Sequence, residues 1–368
     1  MFLLRFLSLG KWASLILWLG LLSPCTSQTI PMQIWGYQAW WMGDDWKSQN
    51  QQVLDRSIFF QLEVAPSGAL AQRHGWPGQW TEWQARLQHL GQPLELGVTL
   101  SEPNVFGAVF GSTEATRLLL NELSALAASN GVAGLHLDVE VQARQVSKTA
   151  ITRFRQFVKA LEARLRQLTP RRQLTVFLPS GNYADIYDSA TLARIDWVVL
   201  QGYDAHFLDS PQAGPLAPLA GADTVTWEKM RQLADRLKLP RRRLIMGFPL
   251  YGYEWTVSTC QPRGQHQGVG GLTTLLPLDG VQIPQLRASI QSQVALHGAQ
   301  VEPVTNSLYY LFDNGDGGCT VGWFEDSWSL RVKADWLSRN GFAGLAFFPL
   351  GYDRGILMNL LRDHWRRP

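Results

Sequence analysis

Two carboxylates two residues apart, Asp138 and Glu140, close the segment GVAGLHLDVE at 131–140. Val132, Leu135, Leu137 and Val139 are apolar and the segment follows an Asn130-Gly131 turn signal, so it reads as a short buried strand. Side chains alternate across a strand, which puts His136, Asp138 and Glu140 on one face and Leu135, Leu137 and Val139 on the other. Three ionisable groups therefore converge at one strand's C-terminal end. Carboxylates at this spacing suit general acid–base work, because two like charges in one site disfavour double ionisation and keep a proton available at neutral pH. A lone D-x-E is also what a strand leaves when its last polar residues simply reach solvent.

The elements around this segment repeat one pattern. Strand candidates lie at 32–39 (MQIWGYQA), 57–64 (SIFFQLEV), 94–100 (LELGVTL), 173–178 (QLTVFL), 196–201 (DWVVLQ), 243–248 (RLIMGF) and 344–348 (GLAFF). Between them run helical stretches. In 113–129, Leu118, Leu119, Leu123 and Leu126 share a face; after Ser147, a helix-capping residue type, Ile151, Phe154, Phe157, Val158, Leu161 and Leu165 recur at threes and fours. Strands alternating with helices, with polar residues at the strand ends, predict a parallel α/β fold closed into a (β/α)8 TIM barrel. The rhythm breaks over about 256–322, where a Gly-rich stretch, one helix at 285–296 and a hairpin of 308–312 with 320–324 predict an α+β insertion between the seventh and eighth units.

Composition narrows the partners. Charged residues are 17% of the 368 and the formal net charge is +3, so neither an acidic nor a basic partner is implied, and no nucleic-acid motif is present. Arg5 and Lys11 precede an uncharged apolar run at 12–22 and small or polar residues through Ser27. This is a secretory signal pattern, and cleavage is expected after Ser27. The run is shorter than the roughly 20 residues that span a bilayer. The expectation is an exported chain, 28–368, in the periplasm, the cell envelope or outside the cell, with no stable membrane insertion. Cys25, after Leu22-Ser23-Pro24, resembles a lipid-attachment site except for Pro24.

Cleavage would leave Cys260 and Cys319. An even pair in an exported chain favours a disulfide, worth roughly 4 kcal/mol by chain entropy, over two separate buried thiols. Neither cysteine has a cysteine or histidine at ligand spacing, so no metal site and no cofactor is suggested. The run DNGDG at 313–317 lacks the calcium-loop spacing and reads as a hairpin turn.

Four stretches, GLHLDVE at 134–140, QGYDAH at 201–206, IMGFPLYGYEW at 245–255 and VGWFEDSWSLRVKADWLSRNGFAGLAFFPLG at 321–351, carry a resemblance to glycoside hydrolase family 18. These are the chitinase-like barrels, and the likeness is to the branch with bacterial spore-germination and cell-wall hydrolases. The resemblance implies a retaining mechanism in which the substrate's own acetamide is the nucleophile. The implied substrate is a β-linked N-acetylglucosamine-containing polysaccharide, chitin-like or peptidoglycan. Glu140 matches the family's general acid, Asp138 the carboxylate that orients the acetamide, and Tyr203 the tyrosine that hydrogen-bonds its oxygen; Asp204 stands beside Tyr203. Tyr251, Tyr253 and Trp255 lie where the family's seventh strand lines the cleft, and the insertion matches a groove wall whose base a Cys260–Cys319 bridge would close. Trp40 and Trp41 follow the first strand, where barrel active-site loops emerge, and are cleft candidates.

The chain departs from the family pattern D-x-x-D-x-D-x-E at Ala133 and His136. His136 either holds Asp138 by a hydrogen bond or marks relaxed selection for catalysis. Phe348 stands in place of the family's tryptophan floor, and the third strand runs LGVTLS in place of S-x-G-G. Two expectations follow: an exported glycosidase, or a catalytically weakened, lectin-like carbohydrate-binding relative.

Overall fold

Eight parallel strands close into a ring: Gln33–Ala39, Arg56–Val64, Leu94–Leu100, Gly134–Val139, Gln173–Leu178, Trp197–Leu200, Leu244–Pro249 and Gly344–Phe348, here the first to the eighth. The first strand pairs in parallel with both the eighth and the second, which leaves no open edge in the ring. This is a computed structural model, and it describes residues 31–278, 283–315 and 317–366. The expected signal segment 1–27, with Cys25, lies outside the described residues.

Near-continuous apolar runs suit these strands, because a parallel barrel covers both strand faces. Burial of all six residues of Gly134–Val139 follows from that. Helices cover the outside. Thr113–Ala127 and Lys148–Gln167 pack their apolar stripes inward, and the second starts where Ser147 Oγ accepts from the Ala150 amide at 3.1 Å. The sequence reading passed over the helix Pro103–Gly111, whose proline supplies a helix's first turn without needing an amide hydrogen bond.

The insertion is a five-stranded antiparallel sheet, in spatial order His266–Thr274, Tyr251–Val257, Cys319–Phe324, Ser307–Asp313 and Gln300–Glu302, with the helix Ile290–His297. It begins at Tyr251, earlier than the expected 256. The seventh barrel strand ends at Pro249, and the chain then pairs antiparallel with Cys319–Phe324 through Tyr253↔Trp323 and Trp255↔Val321. Tyr251, Tyr253 and Trp255 therefore belong to the wall and not to the barrel strand.

Cys260 and Cys319 are bonded, with Cα atoms 5.2 Å apart. The bridge lies beside the Val257↔Cys319 pair, at the strand ends remote from where the chain leaves and re-enters the barrel, and so clips the far end of the wall rather than its base. At the return to the barrel, Glu325 pairs with Lys333 of the helix Ser327–Arg339 at 2.5 Å, both fully buried.

Candidate active site

The fourth strand delivers a vertical column of ionisable groups. His136 is in register with Gly97 and Thr175, Asp138 with Thr99 and Phe177, and Glu140 follows the strand end, its amide donating to the Leu100 carbonyl at 3.1 Å. Catalytic groups of such barrels sit at this C-terminal face.

The Asp138 and Glu140 carboxyls lie close enough to act on each other's ionisation. Burial raises the pKa of both. For Asp138 the negative charge of Glu140 and the shared hydrogen bond push further in the same direction, whereas for Glu140 that bond works against the rise. Both shifts favour a proton held by the pair at neutral pH. Asp138 Oδ1 is buried without a hydrogen-bond partner among the described residues.

His136 is fully buried and does not bond Asp138. Its Nε2 lies 3.2 Å from the Tyr37 hydroxyl across the barrel. Burial, then the Arg56 charge, pull the imidazole pKa down to about 3, so it is neutral.

Around the pair, aromatic rings form the floor. Phe348 is half-buried and lies parallel to Tyr203 (5.9 Å between centroids, 5° between planes), with Tyr37 at 5.7 Å, Phe60 at 5.1 Å and Tyr251 at 6.4 Å edge-on. Tyr203 has room there because residue 247 is glycine; a Cβ would come 2.7 Å from the Tyr203 ring. Burial, with the charges of Asp138, Glu140 and Asp204 nearby, raises the Tyr203 pKa well above the usual phenol value, so its hydroxyl keeps its proton. Asp204 has φ +58, a left-handed conformation that aspartate tolerates better than most residues, and its Oδ1 accepts from the Tyr251 hydroxyl at 2.8 Å. Burial lifts its pKa to about 7 against that hydrogen bond.

The tryptophans divide. Trp41 is half-buried, edge-on to Phe60 and Phe348, and its indole donates to the Tyr352 hydroxyl at 3.1 Å. Trp40 is 38% exposed and stacks flat on His74 (4.1 Å, 7°), whose Nε2 is 2.8 Å from Glu63. Trp255 is 1% exposed with its indole directed to the Leu208 carbonyl, so it packs inside the wall and offers no face to a ligand.

Sequence reasoning missed Tyr37, Phe60, Tyr352 and Tyr187, whose hydroxyl donates to the Val139 carbonyl at 3.5 Å. Strand alternation through Trp35 and Tyr37 was a usable signal for Tyr37; Tyr352 follows a loop and had none. Among the described residues no group of three His, Cys, Asp or Glu side chains is placed to hold a metal ion, and no helix is long and apolar enough to cross a membrane.

Carboxyls, hydroxyls and flat aromatic faces gathered at the mouth of such a barrel suit the acetal bonds and apolar ring faces of sugars, and the class is a TIM barrel with a sugar-compatible mouth. The chain belongs to the glycosyl hydrolases family 18, whose family model matches residues 97–353. A Bacillus subtilis (strain 168) protein described as a sporulation-specific glycosylase is 27% identical over 283 residues, 74% of this chain but only 60% of that protein's length. A class V chitinase of Arabidopsis thaliana is 23% identical over 278 residues, covering 71% of this chain and 69% of its own. Among solved structures, the family GH18 chitinase from Cycas revoluta in complex with allosamidin superposes with a TM-score of 0.77 at 18% identity, over 90% of this chain and 99% of that one. The superposition establishes the shared fold.

Proposed function

We propose that the protein is an exported glycosidase that cleaves β-linked N-acetylglucosamine-containing polysaccharide with retention, the substrate's acetamide acting as nucleophile. The observation that carries this reading is the placement of Asp138 and Glu140 two residues apart at the C-terminal end of the fourth strand, with Asp138 Oδ1 buried and unpartnered among the described residues. An unpartnered carboxyl oxygen beside the general acid is suited to a substrate's acetamide, which supports a nucleophile supplied by the substrate.

The proposed steps use the residues gathered at the barrel mouth. The acetamide nitrogen–hydrogen engages Asp138, and the shared proton passes to Glu140. The acetamide oxygen attacks the anomeric carbon while Glu140 protonates the departing glycosidic oxygen. The resulting oxazolinium ion is stabilised by the Asp138 carboxylate, and the Tyr203 hydroxyl donates to the acetamide oxygen. Water then attacks the anomeric carbon, Glu140 takes its proton, and the ring opens with configuration retained.

The test is release from chromogenic N-acetylglucosamine oligosaccharides and from purified peptidoglycan by the chain from residue 28 onward, beside Glu140→Gln. Release that disappears in the variant supports the reading, and the better substrate separates chitin-like from cell-wall targets. Saturable binding by both proteins with no release would instead establish the lectin-like alternative.

A further inference from the structure

Beneath the catalytic pair the barrel interior is built in layers. The lowest holds Arg56 bonded to Glu95 and Gln173, with Thr175 Oγ1 donating to Glu95 at 2.9 Å. The next holds His136 and Tyr37, 3.2 Å apart. Above these stand Asp138 and then Glu140. Asp138 thus has two neighbours in its column, and only the upper one acts on its ionisation. The imidazole below is turned to Tyr37, and its Nδ1 has no partner among the described residues.

We propose that His136, held by Tyr37, is a positioning residue that keeps the layer under Asp138 uncharged, so that the proton of the active site stays between Asp138 and Glu140. The inference rests on the glycosidase reading for its kinetic consequence, though not for its electrostatic one. A carboxylate at 136 would compete for that proton and repel Asp138; an imidazolium would draw Asp138 into ionisation. The neutral imidazole does neither. It also separates Asp138 from the Arg56–Glu95 pair, and burial together with Arg56 keeps it neutral across the working pH range. The groups facing this layer are Arg56 from the second strand, Glu95 from the third, Asp138 and Glu140 on its own strand, and Tyr37 from the first; Tyr203 and Tyr187 border the carboxyls above. The tyrosines are all raised far above the usual phenol range, so none adds charge.

The experiment compares the wild-type chain with His136→Asp, His136→Asn and Tyr37→Phe, each first checked for a native melting transition. Its readouts are the pH profile of kcat and a carbon NMR titration of the side-chain carboxyls. His136→Asp places a like charge beneath Asp138 and shifts the alkaline limb, and the carboxyl titration with it, upward by about one pH unit or more. His136→Asn preserves a neutral layer and leaves the limb in place. Tyr37→Phe lowers kcat with KM and the limb unchanged, because it frees the imidazole without adding charge. An unmoved limb in His136→Asp, or an equal shift in His136→Asn, overturns the proposal, as does wild-type kcat in Tyr37→Phe. If no sugar is released by any form, the glycosidase reading has failed, while the NMR titration still decides for or against the electrostatic role of His136.

Discussion

Two close pairs of ionisable side chains, one at the return from the wall and one at the mouth of the barrel, are treated in opposite ways. At the return from the wall, Glu325 and Lys333 carry opposite charges, and each has further partners: Lys333 donates to the Asn306 carbonyl at 2.9 Å and Glu325 accepts from Ser307 Oγ at 2.6 Å. At the mouth of the barrel, Asp138 and Glu140 are alike in charge, hold a proton between them and leave Asp138 Oδ1 unpartnered among the described residues. Burying a charge costs several kcal/mol unless partners offset it. The first pair finds its offset inside the protein, whereas the second has a vacancy that a substrate amide can fill.

The sharpest way to break this contrast is to remove one member from each pair. Glu140→Gln is expected to lower kcat on N-acetylglucosamine oligosaccharides by about 10²- to 10⁴-fold, the usual share of a general acid. The same change removes like-charge repulsion and leaves the unfolding midpoint in urea unchanged or raised. Lys333→Met does the reverse. It strands the Glu325 carboxylate and costs about 3–5 kcal/mol of stability, measured by urea unfolding, with kcat at low temperature preserved. Adding Glu325→Leu recovers much of the loss, because no buried charge then remains. Equal destabilisation by Glu140→Gln and Lys333→Met would collapse the distinction.

Asp204 falls between the two pairs and sharpens the comparison through pH. It has a partner in the Tyr251 hydroxyl, yet burial still lifts its pKa to about 7. A carboxyl raised in the folded state adds stability below its unfolded pKa of about 4, and that contribution is lost as pH climbs through the folded value. The wild-type melting temperature should therefore decline between about pH 4 and about pH 7, the window that these pKa values set. Asp204→Asn should flatten part of that decline, and an unchanged slope would mean that Asp204 is already ionised at acidic pH.

How much of this was legible depended on the kind of signal. Strand alternation placed His136, Asp138 and Glu140 on one face, and all eight barrel strands were found because apolar runs and turn residues report local structure directly. The destination of the imidazole was not legible. Tyr37 and His136 are 99 residues apart and meet only because the ring of strands closes. For the same reason the sequence could suggest Trp255 as a cleft residue: alternation gives a face, but not which side of a wall that face covers.

The smallest effect concerns a third kind of ionisable contact, one at the surface. His74 and Glu63 are 2.8 Å apart at the mouth of the barrel, with side chains 14% and 40% exposed, and Trp40 lies flat on the imidazole. Exposed pairs of this kind contribute about 0–1 kcal/mol to stability, so His74→Ala should scarcely move the unfolding midpoint. What the stack does is fix the tilt of an indole whose outer face is open to solvent. If that face carries a sugar ring remote from Glu140, then His74→Ala raises KM a few-fold for long oligosaccharides while leaving kcat and the KM of the shortest substrate unchanged. A uniform rise for all lengths would assign Trp40 to packing. Chain length thus separates a platform for substrate from a stack that only covers the barrel rim, which stability measurements cannot do, because the contact is too exposed to register there.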